Sequence, residues 1–310
     1  MKRRFDIRQY PFLLAAAALV LYVLSTFVFG GGGLTAVGVI AGLLLTVALA
    51  AAVYFTAEFF SLGINHAAPL LFLILTLSFP SVALWDKSLL CAIPVSAAFY
   101  ISVRFHGGQV SGDLAFFYNV LLGIASLMFP PLVWAALFLL AMNFAMAADK
   151  ARFVVMSIVG LLLPPVCYLA YMYVAADARA LAPAAKAWFK VLASPAPSLG
   201  ASSAARVVKV LIFAIIFIVA LVRFFRRSAE YSVSHSHVMI LIFSYTAMTA
   251  LLLVLFPFAG LALNTMLVTV PLSLVFYDYL VWGASDRECR IALAFGALAV
   301  LLEYAFLAVK

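Results

Sequence analysis

The chain has 310 residues, 68% of them hydrophobic and 10% charged, with a mean hydropathy of +1.22. A soluble domain of this length needs roughly a quarter of its residues charged, so this chain cannot cover itself in water. The net charge of +8 does not point to nucleic acid, because the basic residues collect at the ends of apolar stretches.

The chain opens on MKRRFDIRQY, and an apolar run over 11–30 follows. That run is long for the core of a secretory signal, and no A-x-A-like cleavage site precedes the glycines. It reads as an uncleaved first span and signal anchor. Further apolar stretches predict helices over 34–60, 67–84, 88–103, 114–128, 130–147, 153–175, 207–223, 238–258, 259–283 and 291–309. Most are long enough to span a ~30 Å hydrocarbon core. A β-barrel would show short alternating segments, and none are present. The expectation is an all-α, polytopic transmembrane bundle of about eleven spans, forming a single membrane domain over 1–310. Two tight pairs, one meeting at Pro130-Pro131 and one near Phe258, could be re-entrant and lower the count to nine or ten. Phe129, Pro130 and Pro131 are expected to turn the chain tightly between antiparallel spans.

Orientation follows from the cations. With the N-terminus inside, Lys2, Arg3, Arg4, Arg8, Arg104, Lys150, Arg152, Arg223, Arg226, Arg227, Arg287 and Arg290 are cytoplasmic. The opposite side holds Lys87, Arg179, Lys186, Lys190, Arg206, Lys209 and Lys310, most of them in or beside one long loop. That loop, 176–206, is rich in Ala, Pro and Ser. Within it, ALAPAAKAWFKVLA puts Leu181, Ala185, Trp188 and Leu192 on one helical face and Lys186 with Lys190 on the other. This is the pattern of a short helix lying in the membrane interface, with Lys186, Trp188 and Lys190 at the headgroups.

Polar residues inside spans are the candidate functional positions. They are Glu58, Asn119, Asn264, Tyr277, Asp278 and Glu303. Glu58 and Asp278 lie near predicted cytoplasmic ends, where the plainer reading lets each carboxylate reach the headgroups. Glu303 lies deeper, as a buried hydrogen-bond partner, a carboxyl with a raised pKa or a snorkelling group. The segment VFYDYLVWG presents Asp278 among Tyr277, Tyr279 and Trp282. Its plainer reading is an interfacial aromatic belt, and its functional one a carboxylate among phenols for a cation or a sugar hydroxyl. Asn119 is expected to face protein and to bond a neighbouring helix backbone or a polar side chain.

His235 and His237 lie two apart and point to different faces of a helix, with no third ligand, so no metal site is expected. Cys91, Cys167 and Cys289 form no metal-spacing motif or disulfide framework. No cofactor motif, Ser–His–Asp set, H-E-x-x-H helix or pair of intramembrane aspartates is present. No catalytic residue is therefore assigned.

Between roughly Glu58 and Tyr173 the chain resembles an uncharacterised family of multi-pass inner-membrane proteins of Bacteroidota. The likeness rests on NHAAPLLFLILTLSFPS, FFYNVLLGIASLMFPPLVWAALFLL and IVGLLLPPVCYLAYMYV, and more weakly on NTMLVTVPLSLVFYDYL. The long Lys-bearing loop and Asp278 depart from it. The resemblance implies a Gram-negative inner membrane and carries no activity. The expected function is a non-catalytic component of envelope assembly or transport. Its partners would be membrane lipids, other inner-membrane proteins or a lipid-linked substrate. A membrane enzyme acting on a lipid-linked substrate and a small-solute transporter are the alternatives. A filled bundle favours the first, a carboxylate-lined cavity the second and a central polar cavity the third.

Overall fold

A computed structural model describes residues 36–59, 67–77, 90–106, 112–175, 181–193, 204–255, 261–283 and 286–308. Its α-helices are α1 Ala36–Phe59, α2 Ala67–Leu77, α3 Ala92–His106, α4 Gly112–Met128, α5 Leu132–Phe144 and α6 Lys150–Ala175. They continue as α7 Leu181–Ala193, α8 Ala204–Arg227, α9 Val233–Leu255, α10 Leu261–Asp278 and α11 Asp286–Ala308. No strand occurs among the described residues, and the protein is all-α as expected. The expected first span, 11–30, lies outside the described residues. Every other expected span falls on a helix, and α7 is the short amphipathic one.

Two helical stretches, Lys150–Ala175 and Val233–Leu252, are long and apolar enough by length and composition to cross a membrane. Shorter apolar helices include Leu132–Phe144 and Leu267–Val281. The outer surface is apolar. Along α8, Leu211, Ile215, Ile218, Val222 and Phe225 are exposed at helical spacing, as are Ile291, Phe295, Leu298 and Leu301 on α11. The core is mainly apolar too, and among its buried polar residues are Ser102, Asn119, Asn143, Ser157, Thr246, Thr249 and Asp278.

The closest helix pair is α4 with α6. Gly123 and Gly160 make it possible: a Cβ on Gly160 would lie 2.5 Å from Phe116 O, and one on Gly123 would lie 2.7 Å from Leu161 O. Small residues let backbones meet in this way. Arg152 at the start of α6 reaches Asp113 at the start of α4 (3.3 Å), so the two helices run parallel. Helix α5 is the return between them. Helix α4 stops at Met128, and the chain turns at Phe129, Pro130 and Pro131 before α5 begins at Leu132. The expected turn is therefore present.

Proline explains a further contact. In an α-helix the Ser126 carbonyl would accept from the N–H of residue 130, but Pro130 has none. The indole N–H of Trp188 donates to Ser126 O instead, at 2.9 Å. Helix α7 is thus latched to the end of α4 by a carbonyl that proline leaves vacant. Lys186 and Lys190 are exposed beside it.

Helix α10 is the hub, contacting α1, α2, α3, α8 and α9. Every residue from Pro271 to Leu280 is buried. The Thr76 and Thr269 hydroxyls, 3.1 Å apart, tie α10 to α2.

Candidate functional site

Asp278 is the last residue of α10, and the π-helical turn Tyr279–Gly283 follows it directly. Such turns recur at functional sites because they re-aim side chains out of helical register. The Asp278 side chain is 4% exposed, and its Oδ1 lies 3.3 Å from His235 Nε2 on α9. His235 is placed by the cap of its helix: Ser232 Oγ accepts from the His235 backbone N–H at 3.2 Å. This is the position an N-cap serine serves. The Tyr231 ring stacks on the imidazole at 4.8 Å, and its other neighbour is Phe224 at 5.6 Å.

Tyr231 lies in the connection between α8 and α9. Burial pushes its phenol up to about 12, with the Asp278 charge adding to the rise and Arg227 opposing it. Close by, Arg223 of α8 pairs with Glu288 of α11. This end of the bundle therefore gathers Arg223, Arg227, Glu230, Tyr231, His235, Asp278 and Glu288 from four helices and their connections.

A second polar cluster lies between α3, α4, α5 and α6 and is neutral. Asn143 Nδ2 donates to Ser102 Oγ at 2.7 Å. Tyr118 Oη shares the same space with the side chains of Asn119, Asn143 and Ser157. Asn119 is fully buried, as expected, but its Nδ2 donates to Ala115 O of its own helix, at 2.9 Å, and not to a neighbour. The reason is reach: a buried Asn finds the carbonyl four residues back already in place. Tyr118 Oη, Asn119 Oδ1 and Ser157 Oγ have no aligned hydrogen bond. Gly160 of α6 closes against Asn119.

The third feature is an apolar cavity of about 180 Å³ between α8, α9 and α10, lined by Phe213, Phe217, Ala250, Val268 and Leu272 among others. Its threonines turn their hydroxyls away. Thr246 bonds Ile242 O, and Thr269 bonds Thr76.

Of the positions expected from sequence, Asp278 comes to the first site and Asn119 to the second. The Asp278 side chain is buried with the His235 imidazole beside it. Tyr277 and Tyr279 are buried and do not form a surface belt. Trp188 bonds protein, so its N–H is not free for a headgroup. Glu58, Asn264 and Glu303 lie on α1, α10 and α11, but their side chains fall outside the described residues. Sequence reasoning missed His235 as a partner for Asp278. The available signal was a histidine three residues past a capping serine, on a helix expected to neighbour the one that ends at the aspartate.

No group of three or more His, Cys, Asp or Glu able to hold a metal ion occurs among the described residues. No protein-family model matches the chain, and comparison with curated proteins and with solved structures finds no match.

Proposed function

We propose that the chain is a multi-pass protein of a bacterial inner membrane, with about eleven spans and its N-terminus in the cytoplasm. In this reading it holds an amphipathic or lipid-linked partner by its hydrocarbon chain, as a non-catalytic component of envelope assembly or transport. The apolar outer surfaces of α6, α8 and α11 support placement in lipid, since exposing them to water would cost roughly 25 cal/mol per Å². The placement of basic residues supports the orientation.

The observation that carries the partner is the cavity between α8, α9 and α10. Its walls are aliphatic and aromatic, and the two threonines that line it spend their hydroxyls elsewhere. Such a space takes a hydrocarbon chain and offers nothing to a sugar or an ion. A transporter remains the second reading, favoured by the buried His235–Asp278 pair.

The test uses the protein in nanodiscs containing a phospholipid with a photoreactive acyl chain. Labelling should concentrate on peptides carrying Phe217, Ala250 and Leu272, and filling the cavity with Ala250→Phe should lower it about tenfold. Labelling there equal to that of the exposed α6 face around Val166 would refute a chain-binding site. Cysteine accessibility tests the topology in parallel, with position 226 expected inside and position 186 outside. Labelling of position 186 only after the inner membrane is permeabilised would reverse the orientation.

A further inference from the structure

We propose that His235 and Asp278 form a buried proton-binding site that fastens the α8–α9 connection to the end of α10. The inference stands apart from the cavity and does not depend on its occupant.

The geometry sets the minimum occupancy. His235 Nε2 and Asp278 Oδ1 are 3.3 Å apart, both are shielded from solvent, and neither has an aligned hydrogen bond. An imidazole lone pair and a carboxylate repel each other at that separation, so the pair holds at least one proton. With one proton on the pair its net charge is −1. With a second, on the imidazole, it becomes an imidazolium–carboxylate pair of net charge zero. The step balances simply: hydronium gives a proton to the ring and leaves as water. A buried net charge is costly, whereas a buried neutral pair is tolerated when its geometry is good.

The surroundings show which other charges face the imidazole. From α10 there is Asp278 alone, and Tyr279 follows it on the π turn. From the α8–α9 connection there is Tyr231, stacked on the ring, with Arg227 and Glu230 acting on that phenol. On α9 itself there is His237, and on α3, which packs against α9, Arg104 lies over Tyr100. On α8 and α11, Arg223 and Glu288 satisfy one another. The nearest charge to the imidazole is thus the Asp278 carboxylate.

The consequence is mechanical. Asp278 sits where α10 gives way to the π turn, and His235 sits on the first turn of α9, which Ser232 caps. A proton gained or lost there changes the grip between the two helix ends, and with it the seating of Tyr231 on its aromatic neighbours.

The experiment follows backbone hydrogen exchange of the purified chain in nanodiscs from pH 5 to 8, the range in which imidazoles titrate, corrected for the intrinsic rate. The added proton makes a charge-assisted bond, so protection of 231–239 is expected to fall about tenfold as pH rises. His235→Gln should flatten that profile, and His237→Gln should leave it as in the parent. Asp278→Asn should flatten it as well, since the amide carries no charge for the imidazolium to meet. Protection in the parent that does not vary with pH would overturn the proposal without any variant having to fold. A slope that survives in His235→Gln would overturn it equally.

Discussion

The two polar clusters inside this protein solve the same problem in different ways. Between α3, α4, α5 and α6 the buried groups are amides and hydroxyls. Some bond their own helix or one another, as with Asn119 on Ala115 O and Asn143 on Ser102, while Tyr118 Oη, Asn119 Oδ1 and Ser157 Oγ have no aligned hydrogen bond. At the joined ends of α8, α9, α10 and α11 the groups are ionisable and stand against opposite charges or their partners on other helices, as with Arg223 against Glu288 and His235 against Asp278. A neutral cluster holds its geometry at any pH between those that ionise its members. A cluster of charges depends on how many protons it holds. One region is built to stay as it is, and the other is built to respond.

The sharpest way to break the first region is through its glycines. Gly160→Ala places a methyl 2.5 Å from the Phe116 carbonyl, which is backbone and cannot swing aside. Helices α4 and α6 must separate, and the expected loss is about 3 kcal/mol or more. Thermal unfolding in detergent micelles measures it. A variant as stable as the parent would mean that the close approach is not needed. Gly123→Ala should act in the same direction, since its methyl meets Leu161 O at 2.7 Å.

Next in size is Asn143→Leu. It removes the donor that Ser102 accepts from and leaves a buried hydroxyl in apolar surroundings, for a loss of about 2 kcal/mol. The loss should not vary with pH between 5 and 8, in contrast to that of His235→Gln. Equal pH dependence in the two variants would erase the distinction between the regions.

Trp188→Phe tests the latch that the prolines create. It keeps the aromatic volume and deletes the bond to Ser126 O, so the expected loss is about 1 kcal/mol. Faster proteolysis of the segment around α7, with the rest of the chain resisting as before, is the measurement. An unchanged digestion pattern would show that Trp188 holds α7 by its ring alone.

These contacts show what could be read in the chain and what could not. Helix positions were legible because apolar runs of the right length leave few alternatives, and the break at Pro130-Pro131 follows from proline chemistry alone. That Pro130 would orphan the Ser126 carbonyl is also implicit in the sequence. That Trp188 would fill the vacancy is not, because it depends on how α7 folds back over α4. The same holds for Asp278. Its position near a helix end suggested a carboxylate reaching outward, and only the packing of α9 on α10 reveals the imidazole beside it. Local chemistry is written in order along the chain, whereas partners across helices depend on rotations and depths that apolar residues specify only collectively.

The smallest expected effect lies at strongly alkaline pH and belongs to Tyr231. Burial first, and then the Asp278 carboxylate, raise its phenol to about 12 in the folded protein, against 10 for an ordinary tyrosine. The unfolded chain therefore gives up this proton before the folded one does. The stability that the neutral phenol contributes is complete below pH 10 and is lost as pH rises through 12. Tyr231→Phe should remove that part of the alkaline limb and leave stability near neutrality almost unchanged, because the ring still stacks on His235 and Phe224. Asp278→Asn should weaken the same limb by withdrawing the second cause of the shift. Ultraviolet titration of tyrosinate beside the unfolding curve separates the two contributions. If Tyr231 ionises at 10 in the folded parent, the ring is not enclosed between Phe224 and His235, and the charged end of the bundle is more open than described.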